Sequence, residues 1–209
     1  MFTLIKREIQ DHIAYFLGAA ILSAILIALL ISAMYHTELD ERPVFIGLSL
    51  PVIVILIIGC PAMGANQMYT DRTRKISALL STLAVSRNRI LLARIITGIL
   101  AILTVLVPLT ITAVLLLRLF TPPIPIYSGL VSEIFAATFL MGLACYCIGL
   151  LTGWTSSKIT PTLGGLVLTF VLVPLILVKG FGSHAIIILI LFIGASLIHT
   201  WQKFMSTSL

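Results

Sequence analysis

The stretch IIILIL at residues 186–191 lies in a run from Gly180 to Gln202 that contains no Asp, Glu, Lys or Arg. In a helix that rises about 1.5 Å per residue, about 20 apolar residues cross a hydrocarbon core about 30 Å thick. A strand of a membrane β-barrel would instead alternate apolar and polar residues, and this stretch does not alternate. The sequence therefore predicts a transmembrane helix here.

Hydrophobic residues dominate the whole chain. Of its 209 residues, 60% are hydrophobic and 10% are charged, with a mean hydropathy of +1.20. An ordinary soluble domain is about 25% charged. We therefore predict an all-α integral membrane protein, with a single transmembrane domain over residues 1–209. Its six predicted transmembrane helices cover residues about 13–35, 44–68, 95–117, 134–156, 160–178 and 181–202.

The distribution of basic residues predicts the orientation. If the N-terminus is cytoplasmic, ten of the 13 Lys and Arg residues fall in cytoplasmic segments and three fall outside. This bias follows the positive-inside rule. We therefore expect a multi-pass protein of a bacterial inner (plasma) membrane, with both termini in the cytoplasm. The net charge of +6 then reflects topology, and we expect no nucleic-acid partner.

Two cytoplasmic segments have an amphipathic pattern. In the predicted loop over residues about 69–94, the residues Ile76, Leu79, Leu80 and Leu83 follow the i, i+3, i+4, i+7 spacing of one helix face. Over residues about 1–12, apolar side chains again line one side and charged ones the other. We expect a short helix at the inner membrane face in the loop, and an N-terminal interfacial helix. The alternative is a basic connector that only obeys the positive-inside rule.

The loop has a more specific pattern. Its sequence DRTRKISALLSTLAVSR, from Asp71 to Arg87, is followed by ILLAR at residues 90–94. It resembles the loop between helices 2 and 3 of ABC-2 type transporter permeases, which typically has an acidic residue, Gly-Thr, Leu-Leu, Leu-Pro-Val-Ser-Arg and a later Lys. The matching residues are Asp71, Leu79, Leu80, Leu83, Val85, Ser86 and Arg87. Arg74 and Lys75 replace the Gly-Thr pair, Ala84 replaces the Pro, and Arg94 replaces the Lys.

The resemblance implies a transport subunit. In the family this loop forms a coupling helix that docks on a separate ATPase subunit, and the permease pairs with a second copy of itself (a homodimer) or with a related permease. The docking residues would be Asp71, Ile76, Leu79, Leu80, Leu83 and Arg87. The chain has no G-x-x-x-x-G-K-[ST] loop, so the partner ATPase would bind the ATP and Mg. We expect no cofactor and no catalytic residues on this chain.

The expected function is that of the permease subunit of an ATP-driven exporter. Because the predicted helix centres have no charged residues, we expect a hydrophobic or amphiphilic substrate. The alternative is a non-transporting membrane scaffold or anchor, whose basic loop binds a cytosolic partner or anionic lipid. Either reading includes membrane lipids among the partners.

Four further residues are candidates for conformational change. Pro61 and Gly64 are predicted to end the second helix just before the loop, and we expect a hinge there. Arg118 and Glu133 lie at predicted outer helix ends, where they could form an outer gate. Glu133 would begin the fourth helix, where a negative charge suits the helix dipole.

Histidine and cysteine give no metal-binding pattern. No two of the four histidines have the i, i+4 spacing, so we expect interfacial or loop residues and no metal site. The cysteines Cys60, Cys145 and Cys147 lie among apolar residues and are expected to be buried free thiols.

Overall fold

A computed structural model describes residues 2–36, 58–70, 87–120, 126–153, 167 and 183–206. These residues form six helices, and no strand occurs among them, which confirms the all-α prediction. The helices are α1 (Phe2–Asp11), α2 (Ile13–His36), α3 (58–70), α4 (Arg87–Phe120), α5 (Ile126–Gly153) and α6 (Ser183–Ser206).

Four of these helices are long and apolar enough to cross a membrane, and they indicate a membrane protein. The four segments are Ile13–Ser32, Asn88–Leu116, Ser132–Gly153 and Ile186–Ser206. They correspond to the first, third, fourth and sixth predicted spans. Of the second predicted span, only its end is described, within α3. The fifth lies outside the described residues except for position 167.

Two helices begin earlier than the sequence predicted. α4 begins at Arg87 instead of about residue 95, so residues 87–94 form its first two turns instead of a loop. α5 begins at Ile126 instead of about residue 134, so Glu133 lies inside the helix and does not begin it. The predicted boundaries stopped at the first charged residue. A helix depends on its backbone hydrogen bonds, however, and it continues through charges that are paired or reach water.

The N-terminal helix is joined to the first span through a single residue. The His12 amide donates to the Glu8 carbonyl at 3.1 Å, and the Tyr15 amide donates to the His12 carbonyl at 2.9 Å. α1 therefore leads into α2 without a loop. α1 occupies the residues for which the N-terminal interfacial helix was predicted. Further along, α4 packs against α1, α2 and α5, and α5 also packs against α6.

Small residues bring the backbones of α3 and α5 into contact. Gly149 and Gly153 are four residues apart on α5, so they lie on one face of the helix. A Cβ atom on Gly149 would fall on the backbone of Pro61, and one on Gly153 would lie 2.5 Å from the Ala65 carbonyl oxygen. Membrane helices use such glycine spacing for close approach, because lipid provides no hydrophobic force to press helices together.

The candidate hinge residues belong to this same contact. A Cβ atom on Gly64 would lie 2.6 Å from the Tyr146 carbonyl oxygen, and Pro61 is buried against α5. α3 continues to residue 70, so neither residue ends the helix as the sequence suggested. In the structure, Pro61 and Gly64 pack closely against α5. A hinge at this position remains a prediction.

We predict that Gly149→Ala destabilises the protein, by about 1–3 kcal/mol, because the added methyl group overpacks a backbone contact. Gly18→Ala is the matched control: it lies inside α2 with nothing within 4 Å of an added Cβ, and alanine favours a helix more than glycine. Thermal unfolding of the purified protein in detergent should show a lower midpoint for Gly149→Ala only. Equal midpoints for the two variants would contradict the described α3–α5 contact.

Candidate functional site: a buried polar cluster

A group of polar side chains lies buried where several helix ends meet. Glu8 and His12 come from α1 and the turn after it, Gln67 from the end of α3, Arg94 from the second turn of α4, and Tyr146 from α5. We call these five residues the polar cluster. Arg94 and Gln67 are each only 2% exposed, and Tyr146 is fully buried. A buried polar group costs free energy unless it is paired, so each contact within the cluster matters for stability.

Arg94 is the charged centre of the cluster. Its Nε lies 3.4 Å from a carboxylate oxygen of Glu8, whose side chain is 14% exposed. Its Nη1 donates to the sulfur of Met68 at 3.5 Å, and its guanidinium carbon lies 6.0 Å from the centre of the Phe204 ring. The guanidinium therefore contacts an anion, a polarisable sulfur and an aromatic ring, from three other helices.

Tyr146 connects three helices through its hydroxyl group. The hydroxyl oxygen lies 2.6 Å from Gln67 Oε1 and 2.9 Å from the carbonyl oxygen of Arg94. A tyrosine hydroxyl has one proton, so it can donate to only one of these acceptors at a time. Within the described part of the chain, Gln67 Nε2 is buried without a hydrogen-bond partner. An amide turned by 180° would donate from Nε2 to the Tyr146 hydroxyl, which would then donate to the Arg94 carbonyl.

A glycine lets Tyr146 reach the α4 backbone. A Cβ atom on Gly98 would overlap the Tyr146 ring, so the ring lies directly against the α4 surface one turn after Arg94. The Tyr146 ring occupies the space that a side chain at position 98 would fill. Packing and hydrogen bonding therefore fix Tyr146 together.

His12 completes the cluster next to Glu8. Its Nε2 lies 3.6 Å from a Glu8 carboxylate oxygen, and the ring is 8% exposed. Burial lowers the pKa of His12 from its ordinary value of 6.5; the nearby Glu8 and Asp11 act to raise this pKa, and Arg94 acts to lower it. His12 is therefore neutral at pH 7, and Arg94 is the cation that balances Glu8.

The structure places the other predicted residues as follows. The docking residues Asp71, Ile76, Leu79, Leu80 and Leu83 lie outside the described residues, and Arg87 begins α4. Arg118 lies in the last turn of α4 and Glu133 within α5. Both are exposed, and no described hydrogen bond or ion pair joins them. The outer gate therefore stays a prediction.

The smaller predictions have mixed outcomes. Cys145 and Cys147 are buried free thiols as expected, whereas Cys60 is only partly buried. His12 lies in the turn between α1 and α2 and is buried there. Among the described residues, no group of His, Cys, Asp and Glu side chains could hold a metal ion.

The sequence did not reveal the polar cluster. By sequence, Arg94 belongs to the predicted cytoplasmic loop, where it replaces the Lys of the family pattern, and Glu8 has no assigned role. Glu8 and Arg94 are 86 positions apart, and no local spacing shows that they pair. The one available signal was an arginine that follows four apolar residues, in ILLAR at residues 90–94.

Comparison with protein-family models, with curated proteins and with solved structures gave no significant match for this chain.

We predict that Glu8→Gln and Arg94→Met each destabilise the protein, since each removes one partner of the ion pair between Glu8 and the buried Arg94. The loss from removing one partner of a buried pair is about 3–5 kcal/mol, and the partial exposure of Glu8 places this pair at the lower end. The double variant should lose less than the sum of the two, with a coupling of about 1–3 kcal/mol. Unfolding in mixed detergent micelles measures all three free energies.

Arg7→Gln provides the control for this cycle. Arg7 pairs with Asp11 on the same helix at 3.8 Å, but the two side chains are 46% and 55% exposed. An exposed pair contributes little, so the change should stay within about 0.5 kcal/mol. Additive losses for Glu8 and Arg94 would contradict a coupled buried pair.

Proposed function

We propose that this chain is the membrane subunit of an ATP-driven ABC-2 type exporter. It would work with a separate ATPase subunit, which binds ATP and Mg, and with a second copy of itself or a related permease. The loop pattern from Asp71 to Arg87 suggests this family, and one structural observation supports it further. The polar cluster joins the two helices on either side of that loop to the rest of the bundle.

The two helices that flank the loop both contribute residues to the polar cluster. α3 ends at residue 70 and α4 begins at Arg87, so these two helices flank residues 71–86. Gln67 lies one turn before the end of α3, and Arg94 lies two turns after the start of α4. Both belong to the polar cluster. A displacement of the loop would therefore act directly on side chains that hold α1 and α5.

Buried polar contacts can transmit a displacement of the loop to other helices because they are costly to break. Separating the Arg94 guanidinium from Glu8 would break a contact between opposite charges in a site with little access to water. The contacts of the polar cluster therefore favour joint movement of α1, α3, α4 and α5. In the proposed mechanism, closure of the ATPase pair pushes on the loop. The joined helices then switch the transport path between its two sides.

The direction of the helices supports the proposed topology. The polar cluster and its neighbour Phe204 bring together the end of α3, the start of α4, and the last turns of α5 and α6. Among the described residues, α5 and α6 both end at this side, which agrees with the predicted fifth span between them. Six spans with both termini in the cytoplasm of a bacterial inner membrane would give this arrangement.

The proposed substrate is hydrophobic or amphiphilic. In the four described spans, charged residues occur only towards the ends: Arg89 and Arg94, Glu133, and Lys203. A fully charged solute would find no counter-charge at the membrane midplane, where an unpaired charge costs several kcal/mol. The threonines of these spans offer little to a polar substrate. The Thr110, Thr112 and Thr138 hydroxyls all donate to the backbone carbonyl four residues earlier.

We predict that changing both Leu79 and Leu83 to Asp abolishes association with the ATPase, because charge would have to be desolvated in an apolar docking surface. The measurement is co-purification of the ATPase with the tagged permease. Leu119→Asp is the matched control, since Leu119 is an exposed leucine at the opposite end of α4. Full recovery of the ATPase with the double variant would exclude this loop as the docking element. The scaffold alternative expects no ATPase in either preparation.

We also predict that lipids or hydrophobic peptides stimulate ATP hydrolysis by the reconstituted complex, whereas small ions and sugars do not. The reason is that the centres of the four described spans have no charged residue to pair with a charged solute. The rate of phosphate release in vesicles measures this, and vesicles containing the ATPase alone serve as the control. Specific stimulation by a small hydrophilic ion would contradict the proposed class of substrate.

A further inference from the structure

A groove lies between the start of α4 and the last third of α6. Its volume is about 550 Å³. The lining residues are Asn88, Arg89, Leu91, Leu92, Ile95, Leu197, Ile198 and Trp201. None of them belongs to the polar cluster.

The groove surface is almost entirely apolar, and two polar residues lie among its lining. Asn88 and Arg89 lie in the first turn of α4, and the Trp201 ring nitrogen donates to Asn88 Oδ1 at 2.9 Å. Leu92 and Ile95 follow on α4, and Leu197 and Ile198 line the groove from α6. From Asn88 to Ile95 the α4 axis advances about 10 Å, which is about a third of the hydrocarbon thickness.

The walls of the groove are available to the membrane. Leu92 is 48% exposed and Ile198 is 59% exposed, and both lie within membrane-spanning segments. Apolar side chains at such a position contact acyl chains. Trp201 fits the same placement, because tryptophan concentrates where the hydrocarbon core meets the headgroups.

The first turn of α4 offers groups that bind a phosphate. Arg89 is exposed and carries a positive charge, and guanidinium groups bind phosphate through two parallel hydrogen bonds. Asn88 uses its oxygen to accept from Trp201, so its amide nitrogen can donate to a ligand. The groove is thus apolar, and Arg89 and Asn88 supply a cation and a hydrogen-bond donor in the first turn of α4 beside it.

We infer that this groove binds an anionic phospholipid. One acyl chain lies against Leu92, Ile95 and Ile198, and the phosphate lies at Arg89 and Asn88. The charge of Arg89 selects anionic over zwitterionic headgroups, and the apolar walls select a lipid over a soluble phosphate. This goes beyond the proposed exporter function, since it uses neither the 71–86 loop nor the ATPase.

The chain offers a built-in probe for this site. Its two tryptophans are Trp154 and Trp201, so Trp154→Phe leaves Trp201, which lines the groove, as the single fluorophore. Brominated acyl chains quench tryptophan fluorescence on contact. In phosphatidylcholine vesicles, rising amounts of brominated phosphatidylglycerol should quench Trp201 more than their share of the lipid predicts. We expect a preference of about five-fold over brominated phosphatidylcholine, the size of the attraction of one basic residue to anionic lipid.

Two charge substitutions in this background separate the groove from general attraction. Arg89→Gln should reduce the preference to near one. Lys203→Gln removes the same charge near the same end of the bundle but outside the groove lining, and it should leave the preference unchanged. An unchanged preference with Arg89→Gln, or no preference in the parent protein, would overturn the inference.

Inorganic phosphate distinguishes the lipid from its headgroup alone. At matched ionic strength, millimolar phosphate should not relieve the quenching by brominated phosphatidylglycerol, because it has no acyl chain to occupy the apolar walls. Relief by phosphate would make the groove an anion site and overturn the assignment to a lipid. Size-exclusion profiles of all variants check that they remain folded, and no result here depends on ATPase binding.

Discussion

The buried charge of Arg94 is the constraint on which the arrangement of the helix ends depends. With 2% of its surface exposed, this guanidinium needs partners from the protein, and they come from different elements: Glu8 on α1, Met68 on α3 and Phe204 on α6. α1 has only ten residues, and a free helix of that length is marginal in water. Pairing of Glu8 with Arg94 thus helps to fix a short helix against the bundle.

Close packing makes the hydrogen bonds of the cluster possible. Gly149 and Gly153 let α5 approach α3 at backbone distance, which brings Tyr146 within 2.6 Å of Gln67. Gly98 on α4 likewise leaves room for the Tyr146 ring, which lies on α5. Side chains at these glycines would separate the helices and lengthen the hydrogen bonds. Packing and polar contacts therefore stabilise the same geometry, and neither is independent of the other.

The start of α4 has two arginines with different surroundings. Arg94 faces the bundle and is held by protein groups, whereas Arg89, five residues earlier, is exposed and lines the groove next to α6. Five residues correspond to well over one turn of a helix, so the two side chains leave it in different directions. The same helix end therefore carries the contact that connects the proposed coupling loop to the bundle and the site proposed for a lipid. The direction in which each arginine leaves the helix decides whether it contacts protein or lines the groove.

The sequence by itself determined the helical class, the four described apolar spans and the N-terminal helix, because preference for lipid and amphipathic periodicity are properties of neighbouring residues. α4 and α5 begin about eight residues before their predicted starts, since both helices continue through charged residues at which an apolar run ends. Only the tertiary structure decided that Arg94 is buried, that Gly64 packs on α5, and that Trp201 meets Asn88. Each of these depends on residues far apart in the chain. Whether a charge or a glycine faces water, lipid or protein is decided by the helix that packs against it.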